Sequence, residues 1–101
     1  MGAGVAVAGS STVLACTFRA DVPDSDNNAV TGREGCSNTI PGTGRIFEDR
    51  NNWPDDEVGK KDFDAGTALV DGSCGNGRGN YYSKFNSSSG GSAESSRAQR
   101  C

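Results

Sequence analysis

Fifteen glycines are spread along this chain of 101 residues so that no stretch keeps an unbroken amphipathic helical face. No window places apolar residues at i, i+3, i+4 and i+7 over successive turns, so helix is confined to a turn at most. Short extended segments remain. Residues 5–7, 12–18, 28–31, 44–48, 67–70 and 80–85 each carry β-branched or aromatic side chains and are bounded by Gly, Pro, Asn or Asp. In 12–18, Leu14, Cys16 and Phe18 share one face and Val13, Ala15 and Thr17 the other. The first is the better core face. About six short strands separated by turn signals predict an all-β fold, a small antiparallel β-sandwich formed by a single domain over 1–101.

Such a sandwich must be assembled from few apolar residues. Leu, Ile, Val and Phe together number fifteen, below the level of roughly 20% under which chains tend not to order. The net charge of only −3 keeps self-repulsion small. Cys16, Cys36, Cys74 and Cys101 form no C-x-x-C pair, which argues against zinc. An even cysteine count in a short Gly- and Ser-rich chain predicts disulfides, an oxidising compartment and a secreted, extracellular protein. The count alone leaves every connectivity open.

The absence of histidine removes the commonest general base and the commonest metal ligand. Asp55, Asp56 and Glu57, with Asp62 and Asp64, could supply a carboxylate pair for glycoside hydrolysis. However, their neighbours are Gly, Lys and Pro, which leave both acids solvated and ionised. The expectation is therefore a protein that is not an enzyme and uses no cofactor. With a pI of about 4.7 and scattered cations, it lacks the basic face that nucleic-acid binding requires. No apolar run reaches the roughly 20 residues of a membrane span. A monomer acting on a protein partner, such as a host protein, is the remaining expectation.

Several segments carry candidate sites. Asp24, Asp26 and Asn28 stand at the alternate positions of a calcium loop, but Ala29 and Gly35 replace the Gly and Glu that such a loop requires, so a solvated Asx turn is the favoured reading and calcium the alternative. Residues 49–64 read as a polar loop, because Pro54 breaks a ladder and the charges resist burial. Within it Trp53 reads first as a lid over the edge of so poor a core, with an exposed anchor as the second reading. Together with Asp55, Asp56, Glu57 and an exposed edge strand, it is the candidate partner-binding surface. Residues 75–80 form a flexible glycine loop, residues 1–10 a flexible start, and 86–100 a Ser/Gly-rich tail tethered by Cys101. Asn86-Ser-Ser88 is an N-glycosylation sequon.

The stretch Asn28-Ala-Val-Thr-Gly-Arg-Glu-Gly-Cys36, followed by Gly44-Arg-Ile-Phe47, resembles two consecutive strands of the ToxB-like (MAX) effectors, small secreted β-sandwich proteins of plant-pathogenic fungi. Ser73-Cys74-Gly75 and Arg100-Cys101 are similar to that family's last two cysteine contexts. The resemblance implies an effector or toxin-like virulence role, and disulfides joining Cys16 to Cys74 and Cys36 to Cys101. Every cysteine interval is longer here, and 49–64 would be an insertion. Arg45-Ile-Phe-Glu-Asp-Arg-Asn-Asn-Trp53 is also similar to a βγ-crystallin motif, with one residue more and no glycine after the aromatic. That likeness implies an extracellular calcium- or glycan-binding module as the alternative.

Overall fold

Strand pairing follows the β-branched and aromatic segments and then extends beyond them. The computed structural model describes residues 17–35 and 39–101. Residues 5–7, most of 12–18, Cys16 and Cys36 lie outside the described residues. The strands are β1 (Thr17–Ala20), β2 (Asn28–Glu34), β3 (Gly42–Asp49), β4 (Asp56–Phe63), β5 (Thr67–Asp71), β6 (Gly79–Ser87), β7 (Ser92–Glu94) and β8 (Ala98–Arg100). All pairings are antiparallel. A small sheet has the order β1-β2-β5, and a larger one the order β4-β3-β6-β7, with β8 also on β6. The described residues contain no helix, and the fold is the all-β sandwich expected.

Alternation sets the two faces of each strand. In β6 the buried side chains Tyr81, Ser83 and Phe85 point towards the small sheet, while Tyr82, Lys84 and Asn86 take the opposite face. One half of the interior is Ala29, Ile46, Val70 and Tyr81, with Val58 packed against them. The other half is aromatic: Phe85 lies 6.1 Å from Phe18 of β1 and 5.5 Å from Phe63 of β4. With so few large side chains the sheets must approach closely. A Cβ on Gly44 would collide with Thr31 Oγ1 and come within 2.8 Å of Val70, so only glycine fits there.

Arg33 is the exception in this interior. It is 3% exposed, its guanidinium lies 5.6 Å from the Phe85 ring centroid, and Nη2 donates to the carbonyl oxygens of Ile40 and Asp64. No carboxylate faces it among the described residues, and the carbonyl dipoles and the aromatic face take that role.

Two segments depart from the sequence reading. Residues 56–63 form an edge strand rather than the second half of a loop. Their charges stay in water because β4 pairs on one side only, and Thr43 Oγ1 donates to Asp62 at 2.6 Å while Arg45 pairs with Glu57 at 2.8 Å. The 86–100 segment is not a tail, since it closes β6 and supplies both β7 and β8. Between β7 and β8, the buried Ser95 continues the edge: its amide donates to Ser83 O and its hydroxyl accepts from Ser83 N, both at 2.9 Å.

The disulfide pairing implied by the effector resemblance is corrected. Cys74 is bonded to Cys101, with Cα atoms 5.7 Å apart, and not to Cys16. The cause is the register of β8. Arg100 sits opposite Gly79, and this brings the next residue, Cys101, beside the loop that precedes β6. Mapping of unreduced peptides should recover Cys74 with Cys101. Because the bond closes a separation of 27 residues, Cys101→Ser should cost roughly 3 to 4 kcal/mol in denaturant unfolding.

Candidate functional site

The β3–β4 hairpin carries the residue that the rest of the surface does not explain. Its tip, 50–55, turns at Asn52, whose φ is +63°, and Trp53 N donates to Arg50 O at 3.4 Å. Asp55 then locks the tip from within. Its Oδ1 accepts from Arg50 N at 3.2 Å and its Oδ2 from the Tyr82 hydroxyl, while Arg50 Nη1 reaches Asp56 at 3.1 Å. Trp53 is held on this frame with 68% of its surface exposed. The lid reading is thereby corrected: Trp53 covers no core.

Beneath the tip, the outward face of the larger sheet supports it. Phe47 and Tyr82, opposite each other in β3 and β6, stack at 5.3 Å between centroids. Arg97 lies 3.7 Å from the Tyr82 centroid and pairs with Asp49 at 3.0 Å and Glu94 at 2.7 Å. Tyr82, on the outer face, is consequently only 6% exposed. Burial, then the bond to the Asp55 carboxylate, raises the Tyr82 pKa above the ordinary tyrosine value. Tyr81, on the inner face, is raised by burial and by the charges of Glu48 and Asp56; its hydroxyl donates to Cys74 O and Gly77 O.

Of the predicted contact residues, then, Trp53 alone is free to meet a partner. Asp55 and Asp56 are internal acceptors of the hairpin, and Glu57 is tied to Arg45. The supports Phe47, Tyr82, Asp49 and Arg97 were not foreseen. The only signal available for them was that residue 82 falls on the opposite face from Tyr81 and Phe85 in a two-residue alternation. The second arm of the same hairpin, β4, is an edge strand, where the sequence reading had a loop.

The remaining candidates lie elsewhere. Asp24 Oδ1 accepts from Asp26 N at 2.9 Å and Asn28 N at 3.0 Å, and Asn28 Oδ1 accepts from Gly72 N at 3.2 Å, an Asx turn leading into β2. Among the described residues no group of three or more His, Cys, Asp or Glu is arranged to hold a metal ion. Asn86 is half-buried in β6, between Thr43 and Ser92. Among the described residues, no helix is long and apolar enough to cross a membrane. Comparison of the chain with protein family models, curated proteins and solved structures finds no match.

The raised tyrosine values set an alkaline limit. Both hydroxyls are held protonated by the fold, so their contribution to stability is complete below the unfolded value of about 10 and is lost as pH rises past it. Spectrophotometric titration should show no tyrosinate near pH ~10 while the protein is folded, followed by steep ionisation coincident with unfolding. Tyr82→Phe should soften that transition and cost about 1 to 2 kcal/mol at neutral pH through the lost bond to Asp55. Trp53→Ala should stay within about 0.5 kcal/mol of the native protein.

Proposed function

We propose that the protein is a secreted, non-enzymatic module that acts by contact with another protein, in the manner of an effector or toxin, through the tip of the β3–β4 hairpin. The observation that carries this reading is the exposure of Trp53 on a tip whose flanking Arg50 and Asp55 are bonded within the molecule. A large apolar ring held outward loses solvent on binding and little conformational freedom, and so meets the two requirements of an interface anchor. The Cys74–Cys101 bond is compatible with an extracellular compartment. The adjoining edge of β4 adds backbone donors and acceptors along which a partner strand can align.

Affinity capture from extracellular host fluid, with the native protein and Trp53→Ala immobilised in parallel, tests the reading. A protein retained by the former should be lost from the latter, with a drop in affinity of about 30-fold or more in a subsequent titration. Leu69→Ser, which alters an exposed residue on the small sheet, should retain it. Equal retention by the native protein and Trp53→Ala would remove the assignment.

A further inference from the structure

We infer that the opposite end of the outer face, away from the tryptophan, is a binding site for a neutral saccharide. A groove of about 480 Å³ opens there across β3, β4 and β6, within the range of about 300 to 1,000 Å³ typical of small-ligand sites. Its floor is a row of short polar side chains in register on three adjacent strands. Asp62 lies opposite Thr43, and Thr43 opposite Asn86. Strands about 4.8 Å apart space these groups on the scale of one sugar ring. Arg45, Asp64 and Ser88 complete the polar rim.

The hydrogen-bonding state of these groups distinguishes this end from the Tyr82–Asp55 and Arg97–Asp49 pairs at the other. Around the hairpin tip, Tyr82 and Arg50 N donate to Asp55, Arg50 Nη1 to Asp56, and Arg97 to Asp49. In the groove, Asp62 uses one oxygen on Thr43 and Arg45 uses Nε on Glu57. Among the described residues the Asn86 amide, the Asp64 carboxylate, the Ser88 hydroxyl and the remaining Asp62 and Arg45 atoms accept or donate to no protein group. Donors and acceptors therefore converge in comparable number on one concavity, which is what a polyhydroxylated ring requires.

The same composition disfavours other small ligands. Asp62 and Asp64 repel an anion, and Arg45 is already paired with Glu57. A calcium ion needs six to eight oxygens around it, and the described residues provide no cluster of three or more acidic, His or Cys groups. Pro41 and Phe63 are the only apolar side chains of the lining. They are too few for a lipid, and the Phe63 ring is already engaged with Phe85. The Asn86 sequon falls within the groove, so a glycan attached there and a free saccharide would compete for one space.

The test uses the full chain produced in bacteria, so that Asn86 carries no glycan. Saturation-transfer NMR and calorimetric titration with glucose, galactose, mannose, N-acetylglucosamine, maltose, cellobiose and chitobiose should reveal binding to at least one. Asp62→Ala and Asn86→Ala should each weaken it about tenfold or more. Trp53→Ala should leave it unchanged, whatever becomes of the protein-contact reading. Asn86→Ser provides a second groove variant should Asp62→Ala fail to fold. No binding across the panel, equal binding by folded groove variants, or binding of spermidine or sulfated sugars in place of the neutral ones would overturn the inference.

Discussion

The burial of Phe85 between the two sheets is the interaction on which the sandwich turns. Its ring receives Phe18 and Arg33 from the small sheet and Phe63 from the larger one, and is wholly enclosed. Few other large apolar side chains cross the gap, so the loss of this one ring would open the aromatic half of the interior. Arg33 would then face water or a void instead of a π surface. Two requirements follow. Gly42 must remain side-chain-free, because a Cβ there would strike the Phe85 ring, and the strand carrying Phe85 must be held straight on both sides. The second requirement is met by β3 along one edge and by β7, Ser95 and β8 along the other.

Where a strand carries its own β-branched or aromatic residues, it was legible in the sequence. Residues 28–31, 44–48, 67–70 and 80–85 all lie inside observed strands, but apolarity does not set their faces, since Leu69 is exposed and Glu48 buried. Strand β4 was not legible, because Asp-Glu-Val-Gly-Lys-Lys-Asp-Phe has no apolar face of its own. It becomes a strand by templating on β3, whose ladder it completes with a bulge near Phe47. The three-residue strands β7 and β8 were hidden for a related reason. Serine, alanine and arginine there take their conformation from the edge of β6, and a covalent bond at Cys101 fixes the end.

The candidate sites divide along the same line. An exposed tryptophan in a polar loop can be singled out from composition, but whether it lies over a core depends on contacts distant in sequence. Tyr82 to Asp55 and Arg97 to Asp49 are of that kind. The acids beside Trp53 illustrate how proximity in sequence misleads. Asp55, Asp56 and Glu57 read as a charged contact patch, yet each is an acceptor for a group brought in by folding. The pairing of Cys74 was likewise decided by strand register, which no spacing of cysteines encodes.

The C-terminal strand has a mechanical consequence. Three residue pairs hold β8 to β6, and a load applied at the chain end would peel them apart one after another, the weakest way to break a ladder. The Cys74–Cys101 bond diverts that load into the loop ahead of β6. Residues 75–100, β6 included, then lie inside a closed covalent loop and carry no load, and tension passes from Cys74 back through Ser73 to β5. A pull at Cys101 would therefore fall on the small sheet and leave the ladder of β6, β7 and β8 unloaded.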